Sequence, residues 1–408
     1  MRFNKYFPFA FIYFFLNSLA LPFGLTYMAL LAPLFYIWIL LKRKKEILLP
    51  FIAILLPFII VHVFITGVDL PTYSVSLLNM IMIYVFCQAV FTFLKEPADH
   101  EKIMQRILYI NFFFCLLAII FYFTPWQDIF WIQQNVTKGV DGLFRLKLFT
   151  YEASHYALLF VPVFAFYLLQ YVLMQNKISN TLLLLMIFVP MILSFSVGVI
   201  GSLLLAGVIT FIIHFRQLAP KRRIVNAYIT IGFASAVLLF VLFFFFRDNI
   251  IFARLANIFS GEDSSGQGRT GDAFRLAAQI LQDKNEYWGI GPGQLKVDGE
   301  DIIRGYYLYY DRTPVAIPNA AAETLLLFGW AGLVLRLFLQ LFLFFVTKVW
   351  TNYFRLLLFI FMFVYQFTGS FVTNMAEYVI WIFAFTNVFV QFNVKGKANA
   401  LDHSLLPA

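Results

Sequence analysis

The chain has 408 residues, 62% hydrophobic and 12% charged, with a mean hydropathy of +0.82. A water-soluble domain carries about twice that share of charge, so the composition excludes one and indicates an integral membrane protein. The net charge of +9 is no argument for nucleic acid as a partner, because the basic residues sit in short loops between apolar runs.

Apolar runs of spanning length fall near 6–20, 24–41, 47–66, 73–94, 107–124, 154–174, 224–246, 319–346, 355–372 and 375–392. The first follows Arg2 and Lys5 and ends in Asn-Ser-Leu-Ala, a pattern shared with cleaved signal peptides. A second run follows at once and the charge count needs the first, so it is read as a retained span. The run 181–215 is too long for one simple span. Pro190, Ser194, Ser196, Gly198 and Gly201 near its middle suit a turn inside protein, which divides it into two short helices.

With the N-terminus inside, eighteen of the 30 Lys and Arg fall in inner segments, and the short outer loop 67–74 carries none. Reading 181–215 as a single helix would move the later basic loops outside. The expected fold is therefore an all-α polytopic membrane protein of about twelve transmembrane helices with both termini inside. Residues 1–246 hold nine of these helices and an outer loop at 125–153. Residues 247–318 form a large extracytoplasmic loop domain, 319–394 the last three helices, and 395–408 a cytoplasmic tail.

Cys87 and Cys115 lie within apolar runs and imply neither a disulfide framework nor a metal cluster. The five histidines show no metal-ligand spacing, and Gly-Ile-Gly-Pro-Gly (289–293) lacks the Lys-Ser/Thr of a phosphate-binding loop. No cofactor and no metal are expected. The Asn-Val-Thr sequon at Asn135 is a chance-level match.

The polar residues that could carry chemistry concentrate on the outer side. In the smaller outer loop, Arg145 and Lys147 precede Glu152 and His155, which are three apart and share a face if the sixth span begins early. Either could accept a proton from a hydroxyl; the alternative is an interfacial residue wetted by solvent. The larger outer loop has eight Lys and Arg against ten Asp and Glu, so any anion site in it is built locally. Its segment 272–284 places Phe274, Ala277, Ala278 and Leu281 at helical spacing, with Asp272 as N-cap. Arg269 precedes that helix and Arg275 lies in its first turn, where a guanidinium and free backbone N–H groups would make an anion site. The competing reading pairs these arginines with Asp263, Asp272 and Asp283 on a solvated surface.

The tyrosines between Arg304 and Arg312 suit the membrane interface, or stacking on sugar rings. The tenth span opens with Pro318 and Asn319, and Glu323 lies one turn further in, where a carboxylate is costly unless paired or solvated. Gly329 and Gly332 allow close helix packing there. Arg336, deeper still, calls for a buried partner or the inner surface.

In order along the chain, Arg145 with Phe149-x-x-Glu152, then Arg269 followed by Gly289-x-Gly291-x-Gly293, then Pro318-Asn319 with Gly329 eleven after the proline, resemble the motifs of the O-antigen polymerase and O-antigen ligase superfamily. The motifs cover roughly 140–335, and the expected topology covers the whole chain. The resemblance implies a metal-independent glycosyltransferase of the bacterial cytoplasmic membrane with an extracytoplasmic active site. Its donor would be a polyprenyl-diphosphate-linked oligosaccharide, and a chain-length regulator is a candidate partner. Arg145, Arg269 and Arg275 would hold the diphosphate. Glu152, with His155 and Glu323 behind it, would be the base, and Asn319, Gly291 and Gly293 would support the site. The ligases of this superfamily carry His-Asn where this chain has Pro318-Asn319. That departure favours repeat-unit polymerisation over a ligase acting on a lipid or protein acceptor. A glycolipid flippase is the rival of another class, but it would carry polar groups near the bilayer midplane in repeated halves, and no internal repeat is evident.

Overall fold

A computed structural model describes residues 6–19, 21, 26–43, 46–134, 143–174, 180–218, 268–282, 284–307 and 316–394. The expected ninth span (224–246), most of the larger outer loop before Gly268, and Asn135, Asp263, Asp283 and Arg312 lie outside the described residues. The described chain is mostly helical. The principal helices are α1 (Phe7–Phe11), α2 (Ala32–Arg43), α3 (Leu48–Val61), α4 (Leu70–Lys95), α5 (His100–Phe121), α6 (Ala153–Leu173), α7 (Asn180–Ser194), α8 (Val197–Ile213), α9 (Gly271–Gln282), α10 (Glu300–Tyr307), α11 (Ala320–Val346), α12 (Tyr353–Tyr365) and α13 (Met375–Phe385).

Among the described residues, five helices are long and apolar enough to cross a membrane: Leu48–Thr66, α4, α5, α6 and α11. Three of them start at short polar side chains that satisfy the first free N–H groups. Asp69 accepts from Thr72 N–H at 3.0 Å, Asp99 from Lys102 N–H at 3.0 Å, and Asn319 from Ala322 N–H at 2.8 Å. Helix α6 is apolar all round, and most of it is buried in the main core with residues of α5, α7, α8, α12 and α13.

The long run 181–215 does divide into two helices. The break falls at Phe195, whose φ of 45° no helix accommodates. Two other expectations need correction. The expected all-α fold is corrected in the smaller outer loop, which carries an antiparallel hairpin, β1 (Trp131–Gln134) against β2 (Leu143–Leu146), so the described chain is mostly but not purely α. The hairpin is anchored by Trp131, whose indole N–H donates to the Ala118 carbonyl of α5 at 2.7 Å.

The second correction concerns the tenth span. Helix α11 is broken at Gly329, which has φ 65° and ψ −167°. Arg336 Nη1 donates to Thr324 Oγ1 at 3.1 Å, although twelve residues of straight helix would hold them about 18 Å apart. The chain therefore bends sharply at the glycine. A break at membrane depth exposes backbone polar groups, and these need partners within the protein. The loop 285–291 supplies them. Ile290 and Gly291 N–H donate to the Leu326 and Leu327 carbonyls, both at 3.0 Å, while Trp330 and Ala331 N–H donate to the Glu286 and Tyr287 carbonyls at the same distance. The glycine-rich turn is a plug for a broken helix. Gly289 and Gly329 are what allow the two backbones to touch: a Cβ on Gly289 would lie 2.5 Å from the Leu327 carbonyl carbon, and one on Gly329 would collide with the Tyr287 carbonyl. On the far side His62 holds the plug, with Nε2 2.7 Å from the Trp288 carbonyl oxygen and Nδ1 3.1 Å from the Tyr73 hydroxyl.

Below the break, Arg336 finds the buried partner its depth demands. It pairs with Glu377 at the start of α13, and its Nε donates to Gln366 Oε1 at 2.9 Å. Gln366 and Gln340 exchange two further amide hydrogen bonds of 2.9 Å. Glu377 is fully buried, so removing Arg336 alone leaves a charge without compensation. Arg336→Leu is expected to cost about 3–5 kcal/mol, read as a lower thermal midpoint of the purified protein. The double variant Arg336→Leu/Glu377→Leu should recover most of that loss. A double variant no more stable than the single one would remove charge burial as the cause.

Candidate functional site

Helix α9 forms an apolar face of Ala273, Leu276, Ala277, Ile280 and Leu281, which is buried in one cluster with Ala321, Ala322, Leu325 and Leu326 of α11. The expected register was close: Ala278 is exposed, Phe274 only half-buried, and the helix begins at Gly271, so Asp272 lies in its first turn and is not the cap. Packing α9 on the first half of α11 brings Arg269 to the end of α12. Asn319 makes the connection. Its amide donates to the Arg269 and Phe367 carbonyls, both at 2.7 Å, while its oxygen caps α11. The next N–H groups of α11 are satisfied too, Ala320 by the Gly369 carbonyl at 3.1 Å and Ala321 by Gln366 at 3.0 Å.

Arg269 there enters a cleft lined by Tyr151, Glu152, Ser154, His155, Pro318, Tyr365, Ser370, Phe371 and Asn374. Its guanidinium stands 3.9 Å from the Glu152 carboxylate, a loose pair with both side chains partly open to solvent. Glu152 is the N-cap position of α6, yet its carboxylate does not cap the helix, so the helix start remains available at the cleft. His155 stacks on Tyr151, with ring centroids 4.8 Å apart. It is 96% buried, and neither ring nitrogen has a hydrogen-bond partner among the described residues. A positive guanidinium, an uncapped helix N-terminus, a carboxylate and an unsatisfied imidazole thus share one polar cavity. Such a set suits an anionic group and a hydroxyl held side by side.

The other expected site residues lie elsewhere. Arg145 is buried and does not line the cleft; its Nε donates to the Ser194 carbonyl at 3.1 Å, a group freed by the break between α7 and α8. Arg275 is exposed on the outer face of α9. There it faces Tyr306, whose pKa is raised chiefly by a hydrogen bond to Asp272, with Arg275 working the other way. Glu323 accepts from Val372 N–H at 2.6 Å, behind the turn that carries Ser370, and does not line the cleft. Gly291 and Gly293 pack against Tyr73 and Ser76 in the plug. Asn319 touches the site only through the backbone of Arg269.

The sequence reading missed Tyr365 at the end of α12 and Ser370, Phe371 and Asn374 in the connection between α12 and α13. The one signal there is Thr-Gly-Ser between two apolar runs, and any membrane hairpin shows that. Compared with family models and with curated proteins, the chain gives no match to either.

Proposed function

We propose that the chain is a membrane glycosyltransferase that polymerises polyprenyl-diphosphate-linked oligosaccharide repeat units of a bacterial surface polysaccharide. The reaction takes place at the outer face of the cytoplasmic membrane. About twelve spans with both termini inside support that placement through the distribution of Lys and Arg, since the cleft then opens outward. The observation that carries the reading is the meeting of Glu152 and Arg269 in one cleft, beside the uncapped start of α6.

The chemistry follows from those groups. The acceptor sugar hydroxyl attacks the anomeric carbon of the donor, forming a new glycosidic C–O bond. The bond from that carbon to the diphosphate oxygen breaks, and its electron pair leaves with the polyprenyl diphosphate. Arg269 and the α6 N-terminus receive the developing negative charge. The hydroxyl proton passes to the Glu152 carboxylate. Among the arginines first expected to hold the diphosphate, Arg269 lines the cleft and takes that role, Arg145 lies behind it within electrostatic reach of Tyr365, and Arg275 is exposed on α9. Pro318 lines the cleft at the place where the ligases carry histidine, which supports polymerase over ligase.

Glu152→Gln keeps the shape of the side chain and removes its ability to take a proton. Polymerisation of lipid-linked repeat units by purified protein is expected to fall by about a hundredfold or more. A wild-type rate in this variant would remove Glu152 from the chemistry. The wider reading is tested in a deletion strain. Surface glycan reduced to a single repeat unit and restored by the wild-type gene supports it. Long chains stranded on the lipid carrier would identify a ligase instead, and normal chains a non-catalytic protein.

A further inference from the structure

We propose that the turn between α12 and α13 forms a sugar-hydroxyl subsite of the cleft, with Ser370 as its recognition residue and His155 lining the same cavity; this rests on the glycan-transfer reading above. Ser370 is 94% buried, and its Oγ has no hydrogen-bond partner, although it lines a cavity shared with Arg269 and Glu152. His155 brings two more buried ring nitrogens without partners to the same cavity. Three buried polar atoms without a partner among the described residues meet in this one small cavity, which fits a polar ligand that pairs with them.

The backbone gives a second and independent reason. Ser370 holds φ at 66°, a conformation that glycine or asparagine adopts at less cost. The conformation is imposed by its surroundings. Gly369, one residue earlier, packs so closely on the Tyr365 ring that a Cβ there would lie 2.7 Å from it, and its carbonyl caps Ala320 of α11. Two residues later, Val372 N–H is tied to Glu323. The turn is thus clamped on both sides, and the strained position between the clamps carries a hydroxyl that none of the described residues uses. Strain held by the surrounding structure at a ligand cleft is the usual mark of a pre-organised contact.

A hydroxyl and an imidazole, each able to donate or accept, fit the vicinal hydroxyls of a pyranose better than a phosphate, which takes donors only. In the proposed reaction Arg269 holds the diphosphate, and Ser370 with His155 reads the sugar beside the bond that forms.

The probe is the free repeat-unit oligosaccharide, released by mild acid from the lipid-linked material that a deletion strain accumulates. Its binding is measured with full-length protein in lipid nanodiscs, for wild type and Ser370→Gly. Glycine relieves the backbone strain and removes only the hydroxyl. The expected result is oligosaccharide binding weakened about tenfold, with a thermal midpoint equal to or above wild type. Unchanged binding overturns the subsite, as does weaker binding accompanied by a lower midpoint. The polymerase reading stands or falls separately on the glycan ladder of Arg269→Ala, which does not involve Ser370.

Discussion

Arg269→Ala is expected to reduce the surface glycan to single repeat units while leaving the protein folded and abundant in the membrane. Among the described residues the guanidinium is the one arginine head group lining the cleft, so in the proposed reaction the leaving diphosphate loses its principal countercharge when it is removed. Losing one pre-organised donor to a developing anion costs about a hundred- to a thousandfold in rate. Stability should barely move. The pair with Glu152 spans 3.9 Å between side chains that are 31% and 21% exposed, and loose exposed pairs contribute little. The backbone of residue 269 is held from outside by the Asn319 amide, so truncating the side chain leaves its tether intact. Arg269→Lys keeps the charge but replaces a planar fork with a point donor, and is expected to lose at least about tenfold. Chain-length ladders and in-vitro rates, compared at equal protein level, check both variants. A normal ladder from Arg269→Ala would end the diphosphate assignment.

The largest effect on folding is expected at Gly329. Alanine there must hold a positive φ, and its methyl group must occupy the place of the Tyr287 carbonyl. Strain and overpacking each cost about 1–3 kcal/mol, and here they act together. Separating the plug from the break also leaves the four hydrogen bonds of residues 286–291 to α11 unmade in an apolar medium. Gly329→Ala should therefore yield little folded protein, with a sharply lowered thermal midpoint in what is recovered. Gly289→Ala should behave alike, because it meets the same junction from the loop side. Gly201→Ala in α8, where a new Cβ meets nothing within 4 Å, is the control and should be neutral or mildly stabilising. Equal stability of Gly329→Ala and Gly201→Ala would refute the plug as a structural necessity.

Together these two substitutions separate chemistry from architecture. In the proposed reaction Arg269 acts in the cleft, and its removal carries little structural cost. Gly329 lies away from the cleft, yet it holds α11 in the bend that lets its first half carry Asn319 to Arg269.

The sequence by itself determined the membrane class, most helix positions, the division of 181–215 and the amphipathic helix after Arg269. These follow from composition and periodicity, which are local properties of the chain. It also singled out Glu152, His155 and Arg269, because polar groups at the mouth of an apolar run are conspicuous against lipid-soluble sequence. Tertiary structure alone decided which of the candidates meet. Arg145 and Glu323 looked equivalent to the others, yet backbone groups freed at the α7–α8 break and at the Ser370 turn claim them. The glycine-rich turn, expected to support the site, is a plug, since a helix break creates its need for partners only after folding. The α12–α13 turn stayed silent because unpaired hydroxyls, strained backbone and pairings such as Arg336 with Glu377 are relations between distant segments. No local pattern encodes them, and burial in an apolar medium is what gives them their energy.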